Sequence, residues 1–425
     1  MNILVLGSGG AGRQDAICWA LKQSMKISDR LFVAPGNPGT ARWATNLEVN
    51  PLDNMAVLEL VTEHKINLVV VGPEAPLENG VVDYLNEHAP DVLVFGPTQA
   101  AAKLETSKSE AIEIMTAAKV PHPYSRIFSN PSAVATFARD HCKNGKGVVV
   151  KADGLTGGKH VWICANAREA HKAAQTCWSL YPGKPIIVQE KLVGREVSVF
   201  AFVDGEHVSE EVAACDYKRL GDNNTGPNTG GMGAYTPPKF WTRQLAEYVR
   251  QWIFLPIVRE MQRRGTPYRG ILYAGLMILP DGTVKVLEFN CRLGDPEAQV
   301  ILPRFKGDLI AVTASCAKGW LPANAVAWRK NMAVCGVVLA SEGYPGHERT
   351  GRVVSGIEEA EHAGCLIFHG ATTETTEGIV STAGRPLTIV GIGASLENAR
   401  KQAYGGCSRV TLKGGHTRSD IAELT

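Results

Sequence analysis

The sequence predicts an α/β protein whose first hundred residues fold as a doubly wound parallel sheet. Short apolar runs at 3–6, 31–34, 68–71 and 92–95 alternate with helical stretches such as 16–23 and 54–64. Each run is four residues long, mostly Val, Leu and Ile, as expected of a strand buried on both faces. Each run is followed by Gly or Pro, and glycine makes up 44 of the 425 residues, well above the usual share of about 7%. Strand–helix alternation gives a parallel sheet whose ligands bind in the crevice at the carboxyl ends of its strands. The sequences at those ends are Gly7-Ser8-Gly9-Gly10, Pro35-Gly36-Asn37-Pro38-Gly39-Thr40, Gly72-Pro73-Glu74-Ala75-Pro76 and Gly96-Pro97-Thr98. All four are expected on one edge.

Beyond the first sheet, a helical linker at 103–120 leads to strands at 147–151, 161–164 and 185–190. A larger block follows, with strands near 196–203, 272–279 and 284–288. Residues 217–238 are polar and glycine-rich and show no strand or helix pattern, so they read as a functional loop. After about residue 325 come short strands at 333–340 and 385–392 with one helix at 395–404, while 372–376 reads as an exposed turn.

Composition narrows the function. Hydrophobic residues are 44% and charged residues 20%, the balance of a globular protein with filled cores. A net charge of +2 gives no electrostatic case for nucleic acid or a membrane surface. The ten cysteines include no Cys-x-x-Cys pair, which points to free thiols in a reducing, cytoplasmic setting. Neither a signal peptide nor a membrane span is expected.

Four stretches could carry chemistry. Gly7 to Gly12 satisfies G-x-G-x-x-G, yet Phe32-Val33-Ala34-Pro35 supplies no acid for a dinucleotide's ribose. Phosphate binding at a helix N-terminus is the better reading, with a plain tight turn as the alternative. Lys151-Ala152-Asp153-Gly154-Leu155-Thr156-Gly157-Gly158-Lys159-His160 is not a Walker loop. It reads as a hairpin tip able to fold over a triphosphate, or as an ordinary hairpin. In Glu288-Phe289-Asn290, alternation puts two oxygen ligands on one strand face about 7 Å apart. That suits magnesium shared with nucleotide phosphates, or else a solvated sheet face. Arg292 continues the face and can fork onto a carboxylate or phosphate. Asp222 to Tyr235 lacks apolar periodicity and reads as a loop recognising a polar ligand.

Taken together, these stretches resemble phosphoribosylamine–glycine ligases of the ATP-grasp superfamily. The resemblance runs from the glycine loop through Ala34-Pro35-Gly36-Asn37, Gly72-Pro73-Glu74-Ala75-Pro76-Leu77, Lys151 to Leu155 and Asp222 to Tyr235, then on to Tyr273-Ala274-Gly275-Leu276-Met277 and Glu288 to Glu297. It implies an ATP-grasp fold: an amine-substrate domain at 1–102, a linker at 103–121, a small mobile lid at 122–191, a catalytic domain at 192–325 and a small α+β domain at 326–425. The implied reaction joins glycine to phosphoribosylamine through glycyl phosphate, with ATP and Mg2+ or Mn2+, in a monomer or weak homo-oligomer.

The resemblance also implies roles for individual residues. Lys108, Lys151, Gly157, Gly158, Gln189, Glu190, Leu192 and Glu196 would bind ATP, and Glu288 and Asn290 the metal. Gly9, Gly10, Asn37, Glu74, Asp216, Asn228 and Glu297 would bind substrate, while Arg292, Lys218 and Asp295 would serve catalysis. The chain departs from the family pattern at Arg13-Gln14-Asp15, at His160 and at Tyr217, and it is short between Thr176 and Pro185. A diverged ligase for another amino acid and amine, or a non-catalytic nucleotide-binding relative, is therefore the alternative.

Overall fold

The computed structural model describes residues 1–142, 146–155 and 160–423. Strands Asn2–Leu6, Arg30–Ala34, Thr45–Asn46, Leu68–Val71 and Leu93–Phe95 form a parallel sheet. Asn2–Leu6 lies at its centre, with Arg30–Ala34 on one side and Leu68–Val71 on the other. The unbroken apolar runs follow from burial on two faces. Leu4, Leu6, Val69 and Val71 enter one core, and Ile3, Val5, Leu68 and Val70 enter the other. Strand order reverses at Asn2–Leu6, so the loops at Gly7 and Gly72 flank the crevice where such sheets bind ligands.

The first helix spans Gly12–Lys22, a full turn earlier than the expected start at 16. Its first turn is the polar run Arg13, Gln14 and Asp15, all buried, so apolar periodicity could not reveal it. The linker is two helices, Gln99–Thr106 and Lys108–Ala117. They break at Ser107, whose hydroxyl accepts from the Glu110 amide and caps the second helix.

A four-stranded antiparallel sheet follows, in the order Ser125–Phe128, Ile186–Glu190, Val148–Ala152, Val161–Cys164. Helices Pro131–His141 and Ala167–Leu180 cover it through a core of Val134, Phe137, Ala170, Ala174 and Cys177. An eight-stranded antiparallel sheet comes next, in the order Val284–Asn290, Arg269–Ile278, Arg195–Asp204, Val212–Asp216, Gly233–Thr236, Ala333–Leu339, Leu387–Gly393, Leu366–His369. Strands from both sides of residue 326 thus share one sheet.

Three expectations are corrected here. Residues 217–238 are not an open loop. They hold a hairpin, Arg219–Gly221 with Thr225–Asn228, and a strand of the large sheet, Gly233–Thr236. The hairpin turns through Asn223 and Asn224, both at φ 55, a region that asparagine tolerates. Thr372–Thr375 is a strand paired with Gly378–Ser381, and Thr372 is buried. A second C-terminal helix, Ile357–His362, precedes the expected one, which spans Leu396–Cys407.

Arg418, fully buried, staples the C-terminal segment to the hairpin. Its guanidinium forks onto Asp420, donates to the Arg219 carbonyl and Asn224, and lies over the Tyr217 ring. Truncating it leaves Asp420 and two acceptors without their donor. R418A is expected to lower unfolding free energy by about 3–5 kcal/mol in urea titrations. A loss under about 1 kcal/mol would show that the staple contributes little.

Candidate active site

The densest charge cluster joins the first sheet to the last strands of the large one. Arg292 Nε donates to Glu74 Oε2 at 3.2 Å, and its Nη2 pairs with Glu105 Oε1 at 3.0 Å. The same Nη2 donates to Asn290 Oδ1 at 3.1 Å. Arg13 Nη2 reaches Glu74 Oε2 at 3.4 Å, and its Nη1 donates to the Leu293 carbonyl at 2.7 Å. Burial raises the Glu74 carboxyl, but Arg292 and Arg13 overcome it and hold the group at about 2. Burial pushes Glu105 up to about 7 against the pull of Arg292. Arg292 and Asn290 share a face as strand alternation suggested, and Glu74 joins them from the mouth of the first sheet. Arg13 stood out only as a departure from the family pattern, and Glu105, inside a helix with nothing local to mark it, was not anticipated.

Around Glu288 stand three lysines. Burial works against its charge, yet Lys218, Lys151 and Lys108 together lower its pKa. Lys108 Nζ donates to the Gly154 carbonyl at 2.6 Å, and the Asp153 carboxylate takes the Lys108 and Ser109 amides. This fixes the base of the expected phosphate loop; Gly157 and Gly158 themselves lie outside the described residues. Lys218 Nζ pairs with Glu196 Oε2 at 2.9 Å. Burial raises Asp216 to about 7, with Lys218 opposing and Glu297 adding to the rise.

Glu288 and Asn290 share a face because Phe289 between them enters the core. Asn290 Nδ2 is buried without a partner. Among the described residues no cluster of three His, Cys, Asp or Glu is placed to hold a metal alone. One carboxylate and one amide oxygen facing lysines fit a hard cation that is completed by nucleotide phosphates.

The segment expected to hold adenine lies at the end of the strand Ile186–Glu190. Buried Gln189 donates to Ser125 Oγ at 2.9 Å. Glu190 pairs with Lys285 and accepts the Tyr124 amide. Leu192 is half-buried and Glu196 exposed.

Next to Arg292, Glu297 is buried and accepts from Ser198 Oγ at 3.0 Å and Tyr273 Oη at 3.1 Å. Asp295 Oδ2 pairs with Arg385 Nη2 at 3.1 Å. Asn228 is exposed on the hairpin, opposite Arg219, with none of the charged groups above bonded to it.

At the first sheet a cavity of about 740 Å³ is lined by Gly7, Ser8, Asn37, Glu48, Pro73 and, from the C-terminal hairpin, Thr372 to Glu374. Gly9 takes φ 72, and Gly10 follows it before the helix. The Ser8 and Gly9 amides donate to Gln14 Oε1 at 2.7 and 3.2 Å, so a side chain of the same helix already accepts from them. Asn37 is a tie as well as a wall. Its Nδ2 donates to the His369 and Gly370 carbonyls at 3.0 and 3.1 Å.

The departures from the family pattern have structural places. Asp15 accepts from Trp43 Nε1 and the His369 amide. His160 Nδ1 lies 2.7 Å from the Tyr181 hydroxyl. Tyr217 Oη accepts the Ala422 amide.

Three family models match this chain in order. They are the phosphoribosylglycinamide synthetase N domain over 1–105, its ATP-grasp (A) domain over 106–298 and its C domain over 334–424. The chain belongs to the phosphoribosylglycinamide synthetase family. A phosphoribosylamine–glycine ligase of Rhodopirellula baltica is 39% identical over 431 residues, covering 99% of this chain and 97% of that one. The crystal structure of a phosphoribosylamine–glycine ligase from Thermotoga maritima aligns with TM-score 0.85 at 30% identity, over 99% of this chain and 100% of that one. A biotin carboxylase domain from Hydrogenobacter thermophilus, at 15% identity and TM-score 0.73, covers 98% of this chain and 91% of that one and shares the fold alone. The fold is ATP-grasp, as the resemblance implied.

The charge cluster generates a pH prediction. Glu74 ionises at about 2 in the folded chain against an ordinary 4.5, so its carboxylate stabilises the fold above about pH 4.5. That contribution is lost as pH falls from 4.5 toward 2. The difference in unfolding free energy between the native chain and E74Q should be large at pH 6 and shrink steadily toward pH 3. A gap independent of pH would show that the arginines do not hold the carboxylate ionised.

Proposed function

We infer that this chain joins glycine to 5-phosphoribosylamine, using ATP and giving glycinamide ribonucleotide, ADP and phosphate. The observation that carries the reading is the placement of three lysines around Glu288, two residues from the Asn290–Arg292 contact and thereby linked to Glu74 at the mouth of the first sheet. A triphosphate site and an amine site then share one wall. Full-length likeness to proteins named for this reaction supports it.

The chemistry follows from charge. A carboxylate is a poor electrophile, so the glycine carboxylate must first take the terminal phosphoryl group of ATP. Negative charge spreads over the transferring oxygens, and Lys108, Lys151 and Lys218 are placed to neutralise it. Glu288 and Asn290 would hold a divalent ion, Mg2+ or Mn2+, which supplies further positive charge to the phosphates. Gln189, Glu190 and Leu192 would receive adenine, and Glu196 its ribose. Arg292, Asp295 and Glu297 would flank the activated glycine, with Asp216 and Asn228 beyond. Gly9, Gly10, Asn37 and Glu74 would hold phosphoribosylamine, whose amine attacks the acyl carbon and releases phosphate.

Acyl phosphates hydrolyse, so the lid expected at 122–191 would close before transfer. No helix is long and apolar enough to cross a membrane. The reading places the chain in the cytoplasm as a monomer or weak homo-oligomer that handles small molecules.

The test measures ADP release with ATP, Mg2+, glycine and phosphoribosylamine made in situ, with the product weighed by mass spectrometry. ADP formation should need both acceptors, and glycinamide ribonucleotide should appear. E288Q should reduce kcat by about 100-fold or more. ATP binding with no such product, or full activity in E288Q, would overturn the reading.

A further inference from the structure

Arg385 stands just before the strand Leu387–Gly393 and pairs with Asp295, 90 residues away along the chain. Its Nη1 donates to the Gly230 carbonyl at 2.8 Å, the Gly231 carbonyl at 3.3 Å and the Asp295 carbonyl at 2.8 Å. Its Nη2 pairs with Asp295 Oδ2 at 3.1 Å. One guanidinium therefore binds two separate backbone segments and a carboxylate. The fixed fork of arginine suits this, whereas a lysine presents only a point charge.

The second segment leads directly to Lys218. Thr229 donates its amide and its hydroxyl to the Lys218 carbonyl at 2.7 and 2.9 Å. The Gly231 amide closes back onto Thr229 Oγ1 at 3.0 Å. On the other side, the Gly230 amide donates to Tyr344 Oη at 2.8 Å, again from the C-terminal part of the chain.

The glycines are required by this packing. A Cβ at Gly230 would lie 2.9 Å from Arg385 Nη2, and one at Gly231 would lie 2.5 Å from Pro296 Cδ. Gly231 also takes φ 113, where a side chain is strained. The glycine-rich stretch thus lets its own backbone lie against the Asp295–Pro296 turn and the guanidinium.

We propose that Arg385, steadied through Gly230 by Tyr344, is a positioning residue that locks the Asp295 turn and the Lys218 segment into one rigid wall of the acyl-transfer site. It rests on the reading of function above. Arg385 touches no reacting atom in this account; it acts through Asp295 and the Lys218 backbone. Its loss leaves nucleotide binding intact and misplaces the groups around the activated glycine.

The test is steady-state kinetics of the full chain with R385A and Y344F, each checked for folding by thermal melting. R385A should lower kcat by about 100-fold, the scale of a small misplacement in a site, with KM for ATP unchanged within about threefold. Guanidinium added to R385A should restore at least part of the rate, which a purely structural defect would not allow. Y344F deletes only the acceptor for the Gly230 amide and should lower kcat about fivefold, again without moving KM for ATP.

Native-like kcat in R385A overturns the proposal, as does a loss that raises KM for ATP in proportion and ignores guanidinium. Where R385A does not fold, Y344F decides, and an unchanged kcat overturns it. Failure of the functional reading is seen separately, as absent substrate-dependent ADP release in the native chain.

Discussion

Arg13 and Arg292 place two guanidinium groups in one enclosed patch, where they repel each other. Glu74 and Glu105 hold them there. Each of the four comes from a different element: the first helix, the short helix Glu74–Glu78, the helix Gln99–Thr106, and the turn after Val284–Asn290. The large sheet and the first sheet are aligned at this point, so the separation between the proposed triphosphate and amine sites depends on it. A cluster of this kind is costly to desolvate and costly to break, because removing one member strands the others. That asymmetry fixes one arrangement of the two sheets.

The same constraint explains where the unusual titrations fall. Glu74 is shared by both arginines and stays ionised far into acid, whereas Glu105 meets one arginine under heavier burial and ionises near neutrality. Asp216 likewise combines burial with nearby carboxylates against a single lysine. Glu74, Glu105 and Asp216 lie where the chemistry is proposed, as expected when burial and charge are arranged around a reacting centre. Others are displaced in structural settings, Asp15 by burial beside Arg42 and Glu260 by its pairs with Arg263 and Arg264.

Much of this was legible in the residues. The runs at 3–6 and 68–71 are apolar without interruption because both faces are covered, and the structure extends them by one residue at most. The pairing of Glu288 with Asn290 followed from strand alternation alone. The Gly233–Thr236 strand was hidden because Gly233 and Ala234 fill a crowded place between two neighbouring strands with little apolar bulk. The roles of Arg13, Glu105 and Arg385 were hidden for another reason: their partners are 61 or more residues away, and local patterning carries no trace of such contacts. Gln14 was noted as a departure from the family pattern, and its side chain accepts the amides that the glycine motif offers.

If the charge cluster aligns the two sites, loosening it should uncouple activation of glycine from its transfer. Glu105→Gln keeps an oxygen to accept the Cys291 amide while removing the charge that faces Arg292. The most direct measurement is the ratio of ADP to glycinamide ribonucleotide formed by that variant over a timed reaction. The account predicts matched amounts for the native chain and an excess of ADP for Glu105→Gln, because glycyl phosphate left waiting would meet water. Matched amounts at the native rate would contradict it and show that the alignment of the two sites is held elsewhere.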